Sequence, residues 1–277
     1  MMLLQDADCP LLQGAPWQIF AALRAFEHAL PTQTYRSERQ IEFQQFSTPL
    51  SLAWLAGLAG QIRQDDLVLE PSAGTGMLAV HAWRARAGLQ LNELDPKRAD
   101  LLGRIFDRTV TRHDGEHIDD LLAGAPSPTL VLINPPFSRS AGRGVDRHAG
   151  ARHLRAALAR LAPGGRCVAI MPPNFAADGT ASLGYTAVAE MAPPRAEITI
   201  RGNPYAKHGT GIDVRLLITT RDGRENPSAM SRTRLRLLSI SCWLFPPGLI
   251  LSIHPRRPHH WPGPVPHPNP SHRRLLP

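Results

Sequence analysis

The strongest constraint on the fold is an alternation of apolar, strand-like runs with helical segments across residues 46–220. The runs 130–133 and 167–171 are apolar throughout, which predicts strands buried on both faces. Such strands occur in a mostly parallel sheet that is covered by helices on both sides. The seven predicted strands are 66–70, 89–94, 109–114, 129–134, 166–172, 196–201 and 211–220, and the predicted helices are 75–87, 96–106, 148–161 and 181–191.

Two flanking segments differ from this central α/β domain. Residues 1–45 are predicted to form a helical N-terminal extension that packs on the domain, with an amphipathic helix over 16–30. Its apolar face would consist of Ile19, Phe20, Leu23, Phe26 and Leu30. Residues 221–277 are rich in proline, arginine and histidine, which predicts a disordered tail without a core. The apolar run 237–253 is short and interrupted by prolines, so we expect no membrane span.

Charge and cysteine content limit the functional classes only weakly. The net charge is +8, but residues 221–277 alone carry +7. The overall charge therefore says little about what the folded domain binds. Cys9, Cys167 and Cys242 are far apart and the first ten residues lack a basic segment, which favours a reducing, cytoplasmic location.

Two strand ends carry residues suited to a nucleotide-like ligand. The strand 66–70 is followed by a glycine-containing turn, Glu70-Pro-Ser-Ala-Gly-Thr-Gly76, with a helix expected from about Thr75. Glycines allow a ligand to approach the backbone closely. The next strand ends at Glu93, whose carboxylate could accept hydrogen bonds from both hydroxyls of a ribose. Taken alone, the first feature could be an ordinary strand-to-helix turn, and the second could be a solvated acid at a strand end.

The sharpest sequence signal is Asn134-Pro-Pro-Phe137 at the end of the strand 129–134. Two consecutive prolines fix the backbone and remove two N–H donors, so this corner presents acceptors. The side-chain oxygen of Asn134 and the carbonyl of Pro135 could together hold an amino group. Phe137 would offer a flat surface to a planar ring.

These three motifs, in this order, resemble the class I S-adenosylmethionine-dependent methyltransferases. The resemblance covers residues 40–220 and implies a Rossmann-like, seven-stranded, mostly parallel sheet with an antiparallel last strand. The form Asn134-Pro-Pro-Phe137 is similar to that of amino-methyltransferases, chiefly those acting on adenine N6 in nucleic acid. The nearest likeness is to the methylase region of bacterial and phage strawberry-notch-like helicases, which this chain resembles at 46–49, 111–118, 134–140 and 207–213.

The resemblance implies roles for individual residues. Asn134, Pro135, Pro136 and Phe137 would form the catalytic corner. Asp114 would accept a hydrogen bond from the adenine of S-adenosylmethionine, Glu93 would hold its ribose, and Leu94 would lie against its ring. The remaining cofactor-binding residues would be Phe46, Ser47, Thr48, Glu70, Pro71, Ser72, Ala73, Gly74 and Gly76. A metal at His113 and His117 is disfavoured, because no third ligand accompanies them.

Acceptor and partners remain open at this stage. The segment 138–166 is basic, and Arg139 and Arg143 are predicted to contact a nucleic acid backbone, whereas Arg152, Arg155 and Arg160 could equally form a solvated helix face. DNA is the favoured acceptor, and a helicase or specificity partner would act in trans. The alternatives are an RNA methyltransferase, a protein glutamine methyltransferase, and a non-catalytic module that binds the cofactor or nucleic acid.

Overall fold

The computed structural model describes residues 2–32, 47–137, 139–140, 144–146, 148–208, 211–221 and 251–255. Its strands are β1 Leu67–Glu70, β2 Gly88–Asn92, β3 Val110–Thr111, β4 Leu130–Ile133, β5 Arg139–Ser140, β6 Gly144–Val145, β7 Arg166–Met171, β8 Pro194–Ile200, β9 Val214–Thr220 and β10 Leu251–Pro255. Its α-helices are α1 Met2–Gln5, α2 Pro16–Ala29, α3 Leu50–Gly60, α4 Ala79–Arg84, α5 Pro96–Phe106, α6 Ile118–Leu121, α7 Ala149–Arg160 and α8 Ser182–Met191.

The central sheet has the order β3-β2-β1-β4-β7-β9-β8, with β10 added beside β8. Strands β3, β2, β1, β4 and β7 are mutually parallel. Strand β9 is antiparallel to both of its neighbours, β7 and β8. This confirms the predicted seven-stranded, mostly parallel sheet with an antiparallel last strand. The chain order reverses beside β1, and in open sheets of this kind ligands bind at the carboxyl ends of the strands next to such a reversal.

The apolar strands supply both halves of the core. Along β4, Leu130 and Leu132 pack into the cluster on one face, whereas Val131 and Ile133 pack into the cluster on the other. Helix α3 packs into the first cluster, and α7 and α8 pack into the second. Burying a side chain of this size contributes about 1.5–3 kcal/mol, so the central strands carry much of the fold's stability.

Several element boundaries differ from the sequence prediction. Helix α4 begins at Ala79 rather than near Thr75, because Gly74 and Gly76 adopt left-handed conformations with φ of +56° and +78°. Helix α3 had no sequence prediction, since it is apolar on all sides and shows no helical periodicity. Strand β10 pairs antiparallel with β8, although the sequence predicted a disordered tail that includes this stretch.

The N-terminal segment contributes buried side chains to the core. Helix α2 occupies Pro16–Ala29, and Phe20 and Leu23 are buried as the apolar pattern predicted. The third buried residue of this helix is Glu27, a polar residue that the pattern does not include, whereas Leu30 is exposed. Within the described residues, no helix is long and apolar enough to cross a bilayer.

A buried ion pair secures the amino edge of the sheet. Arg166 Nη2 lies 2.6 Å from Asp66 Oδ2, and Asp66 Oδ1 accepts a 2.7 Å hydrogen bond from the Thr129 hydroxyl. The backbone N–H of Arg63 donates to Asp66 Oδ2 at 2.8 Å. One carboxylate therefore joins the segments that enter β1, β4 and β7.

Substituting Asp66→Ala should lower the free energy of unfolding by about 3 kcal/mol, because it leaves the Arg166 guanidinium in a partly buried site without its counter-charge. The matched substitution Asp65→Ala, at an exposed neighbouring position, should change it by less than about 0.5 kcal/mol. Chemical denaturation monitored by tryptophan fluorescence measures both values. Equal effects of the two substitutions would refute this role of Asp66.

Candidate functional site at the carboxyl edge of the sheet

The loops after β1, β2 and β4 meet at one edge of the sheet because these strands are parallel neighbours. The loop after β1 contacts the loop after β2 directly: the N–H of Gly74 donates to Glu93 Oε2 at 2.7 Å. The N–H of Asp95 donates to Glu93 Oε1 at 2.9 Å. The glycine turn and the predicted ribose-binding acid therefore lie together, as the sequence predicts.

Gly76 is required by both conformation and space. Its φ is +78°, and a Cβ at this position would lie 2.6 Å from the Phe106 ring and 2.8 Å from Leu102. The loop is thus pressed against helix α5, which itself begins at Pro96 with Asp95 accepting hydrogen bonds from the N–H groups of Lys97 and Arg98. This packing keeps the turn close to the end of β2.

Glu70 ends β1 as a deeply buried acid. It is 2% exposed, and its Oε2 has no hydrogen-bond partner among the described residues. Burial raises the pKa of Glu70 well above its ordinary value, a hydrogen bond from the backbone of Ala79 opposes the shift, and the nearby Glu93 carboxylate adds to it. An acceptor without a partner in such a place is suited to a cationic or N–H donor group of a ligand.

Glu93 is also buried, and burial raises its pKa against the opposing effect of its two backbone hydrogen bonds and of Arg98. The Arg98 guanidinium lies over the same loop, since a Cβ on Gly74 would be 3.8 Å from its Nη1. Each Glu93 oxygen already accepts one backbone N–H, so a ribose would use the remaining acceptor capacity of each oxygen. Leu94, the next residue, is an exposed apolar side chain.

Asn92, at the end of β2, makes four side-chain hydrogen bonds, and the sequence analysis did not identify it. Its Nδ2 donates to the carbonyls of Pro71 and His113, each at 2.9 Å. Its Oδ1 accepts from the Thr111 hydroxyl at 2.8 Å and from the His113 N–H at 2.9 Å. All of its hydrogen-bonding capacity is used, which ties the loops after β1 and β3 to the end of β2.

Asp114 directly follows His113, which is hydrogen-bonded to Asn92, and it precedes a short 3-10 turn, Gly115–His117. Its carboxylate accepts from the N–H of Glu116 at 3.0 Å. Gly115 packs closely on the glycine loop, because a Cβ there would lie 3.1 Å from the Pro71 carbonyl oxygen and 2.8 Å from His153 Nδ1. The predicted adenine-contacting acid therefore immediately precedes a residue that packs against Pro71 and Ser72.

Asn134, at the end of β4, is held by two hydroxyl groups. Its Nδ2 donates to Thr48 Oγ1 and to the Tyr205 hydroxyl, each at 2.9 Å. Tyr205 is 2% exposed, and burial raises the pKa of its hydroxyl, which therefore stays protonated. Both amide hydrogens are thereby used, and the Oδ1 atom of the half-buried Asn134 is the one that remains to accept a hydrogen bond.

The sequence analysis missed Tyr205. It predicted Thr48 as a cofactor-binding residue together with Ser47 and Phe46, and the structure adds a contact of the Thr48 hydroxyl with Asn134. Tyr205 follows β8 within Asn203-Pro-Tyr205, a signal too short to be distinctive. Its ring lies edge-on to Phe137, with centroids 6.5 Å apart. Phe46 lies outside the described residues.

The two prolines of this corner pack against the start of α7. Pro135 is buried, and a Cβ on Gly150 would lie 3.2 Å from the Pro136 carbonyl oxygen. Phe137 is half-buried and packs against the core cluster that contains Tyr205. The corner is therefore held by two contacts: the prolines pack against the start of α7, and Phe137 packs against Tyr205.

The basic side chains after this corner divide into different groups. Arg152 pairs with Glu116 and Asp146, and Arg160 donates to the carbonyls of Ala123, Ala125 and Pro126. Neither belongs to a solvated helix face, whereas Arg155 is exposed. Arg139 begins β5, and Arg143 lies outside the described residues.

Metal binding finds no support in the part of the chain that the structure describes, where no group of three or more potential ligands occurs. His113 precedes the turn Gly115–His117, and His117 is the last residue of that turn. The carbonyl and the N–H of His113 are both bound to Asn92. These two histidines therefore belong to the loop that packs on the glycine turn.

No protein-family model and no curated protein matches the sequence. Solved structures do match, and what they share with this chain is the fold, a mostly parallel mixed sheet with helices around it. The chain has the fold of the S-adenosylmethionine-dependent methyltransferases. A candidate RNA methyltransferase from Pyrococcus horikoshii is 18% identical with a TM-score of 0.54, and the match covers 75% of this chain and 98% of that one.

Two further matches are longer proteins. The modification subunit of a candidate type I restriction enzyme from Vibrio vulnificus is 14% identical with a TM-score of 0.53, over 87% of this chain and 61% of that one. A type I restriction-modification methyltransferase subunit from Streptococcus thermophilus is 15% identical with a TM-score of 0.51, over 77% and 51%. This chain thus spans about half to three-fifths of the length of these two methyltransferase-fold subunits.

The raised pKa of Glu70 leads to a pH-dependent prediction for the protein without a bound ligand. A carboxyl whose pKa is higher in the folded than in the unfolded state stabilises the fold at low pH, and this contribution is lost as the pH rises through the folded-state value. Glu70→Gln should therefore raise the melting temperature at pH 8 and have a much smaller effect near pH 5. Glu190→Gln, at an exposed position of α8, is the control. A lower melting temperature for Glu70→Gln at pH 8 would contradict the assignment.

Proposed function

We propose that this protein transfers a methyl group from S-adenosylmethionine to an exocyclic amino group, with adenine N6 in DNA as the favoured acceptor. The orientation of Asn134 is the observation that carries the proposal. Both of its amide hydrogens are used by Thr48 and Tyr205, so its oxygen is the group left to hold an amine.

The residues at the carboxyl edge fit the proposed methyl donor. The partnerless Glu70 Oε2 is an acceptor for the amino group of its methionine part, and the left-handed glycines 74 and 76 allow close backbone approach. Glu93 would hold the ribose hydroxyls, the exposed Leu94 would contact the adenine, and Asp114 would accept from its amino group. When bound, the donor supplies an electrophilic methyl group on a positively charged sulfur.

The corner at Asn134 would act mainly by positioning. An adenine amino group is a weak nucleophile because its lone pair is delocalised into the ring. Hydrogen bonds from its two N–H groups to Asn134 Oδ1 and to the Pro135 carbonyl favour a localised lone pair and stabilise the positive charge that develops on nitrogen. The rigid proline pair would keep this nitrogen in line with the methyl group.

The choice of DNA adenine rests on the form Asn134-Pro-Pro-Phe137, on Arg139 and Arg143 that follow it in the sequence, and on type I modification subunits among the fold neighbours. A base in a duplex would have to leave the stack, and Phe137 could then face it. Because those neighbours are subunits of larger assemblies, we propose that target recognition comes from a partner in trans. On the resemblance to the methylase region of strawberry-notch-like helicases, we propose that this partner is a helicase. We propose that the two proteins act in the cytoplasm.

RNA is the second candidate acceptor, because the candidate RNA methyltransferase from Pyrococcus horikoshii matches over almost its whole length. A single assay separates the candidates. The purified protein is incubated with donor labelled in the methyl group and with unmethylated DNA, with RNA, or with protein extract. The modified nucleoside or amino acid is then identified by mass spectrometry. We expect N6-methyladenine in DNA. Label found only in RNA, or only in glutamine of a protein, would show that DNA adenine is not the acceptor.

Asn134→Ala should reduce methyl transfer by about 100-fold or more, since it removes an acceptor that acts on the developing charge. Donor affinity, measured by calorimetry, should change by less than about threefold, because Asn134 faces the acceptor. Gln64→Ala, an exposed amide that precedes β1 at the opposite edge of the sheet, should retain full activity. Full activity of Asn134→Ala would refute the catalytic role.

A further inference from the structure

Helix α2 carries a buried carboxylate that the proposed mechanism does not use. Glu27 is 6% exposed and lies on the helix face that otherwise buries Phe20 and Leu23. Burial raises its pKa, against the opposing effect of hydrogen bonds from Ser51 and of the nearby Arg24. A buried acid is costly unless it is well hydrogen-bonded, so its partners indicate what the site requires.

The partner of Glu27 is the first turn of helix α3. The N–H of Ser51 donates to Glu27 Oε1 at 2.8 Å, and the Ser51 hydroxyl lies 3.1 Å and 3.0 Å from the two carboxylate oxygens. Helix α3 begins after Pro49, which provides no side-chain cap. Glu27 thus supplies from another helix the acceptor that an N-cap residue would supply locally, and its negative charge complements the helix dipole.

This cap lies three residues from an anchor of Asn134. Thr48 precedes Pro49 and α3, so the position of the Thr48 hydroxyl depends on where α3 begins. Thr48 is 8% exposed and uses its hydroxyl to accept from Asn134 Nδ2. A continuous chain of contacts therefore runs from Glu27 through Ser51 and the start of α3 to Thr48 and Asn134.

The other anchor of Asn134 is also tied to the end of helix α2. The Lys207 ammonium donates to the carbonyl oxygen of Leu30 at 3.1 Å. Lys207 lies in the short 3-10 turn Ala206–His208, immediately after Tyr205. One N-terminal helix thus contacts both segments that orient the asparagine amide, at Ser51 with a buried carboxylate and at Lys207 near the surface.

We propose that helix α2 is a clamp on the Asn134 corner and that Glu27 is its positioning residue. The functional consequence rests on the proposed methyl transfer, whereas the structural consequence does not. Loss of the Glu27 acceptor would let the start of α3 shift, and Thr48 would no longer hold the amide of Asn134. The effect should fall on turnover rather than on donor affinity, because the Thr48 hydroxyl holds the amide of Asn134, which faces the acceptor.

The first test reads the Asn134 side chain directly. Its two Nδ2 proton signals are followed in 1H–15N NMR spectra of the full chain and assigned by their absence in Asn134→Asp. Glu27→Ala should displace these signals, and Glu27→Gln should partly restore them because its oxygen can still accept from the Ser51 N–H. Glu190→Ala, an exposed glutamate of α8, should leave them unchanged.

Signals at the wild-type position in Glu27→Ala would overturn the clamp. Should Glu27→Ala fail to fold, Glu27→Gln takes its place, since it removes the negative charge and one of the two carboxylate acceptors but keeps the side-chain volume. Displaced Asn134 signals in Glu27→Gln support the clamp, and unchanged signals overturn it. This readout needs neither donor nor acceptor, so it decides the positioning role even if no methyl transfer is found.

The second test separates turnover from binding with labelled donor and unmethylated DNA. Glu27→Ala should lower kcat about tenfold, as expected for a misplaced positioning group, with the affinity for S-adenosylhomocysteine unchanged. Glu27→Gln should have a kcat between those of Glu27→Ala and the wild type. The control Glu190→Ala should have the wild-type kcat. A loss of affinity equal to the loss of kcat would mean that Glu27 supports the whole domain instead. Absence of transfer by the wild-type protein would count against the proposed function alone.

Discussion

The two hydrogen bonds donated by the side-chain amide of Asn134 fix which of its atoms faces the candidate site. An asparagine amide can present either donors or an acceptor, and the two choices suit opposite ligands. Thr48 and Tyr205 take both hydrogens, so the oxygen is presented. The three residues come from distant parts of the chain, and only the parallel sheet and the packing of α3 bring them together.

A different physical constraint shapes the other half of the site. Glu70 and Glu93 are two buried carboxyl groups near one another. Burial away from water is the main cause that raises the pKa of each. Glu93 is compensated by two backbone N–H groups and by Arg98, whereas Glu70 keeps one oxygen without a partner among the described residues. Such an imbalance is costly in the free protein and is relieved by a ligand that brings a donor or a positive charge.

The sequence predicted the sheet and much of this edge, because apolar strands and their polar ends leave strong local patterns. Strands β4 and β7 are apolar runs, and Glu93 and Asn134 are polar residues at strand ends. It could not predict Tyr205 or Asn92, whose roles arise from contacts made over long distances in the chain. Helix α3 was missed because an element buried on all sides loses its periodicity. Glu27 interrupts an apolar face, and only its contact with Ser51 explains why.

The most direct measurement of this account is a crystal structure of the protein with S-adenosylhomocysteine. The account predicts the ligand at the carboxyl edge of β1 and β2, with its amino group at Glu70, its ribose at Glu93 and its sulfur facing Asn134 Oδ1. A ligand bound at another edge of the sheet would contradict the account. So would an Asn134 side chain with Nδ2, rather than Oδ1, turned toward the sulfur.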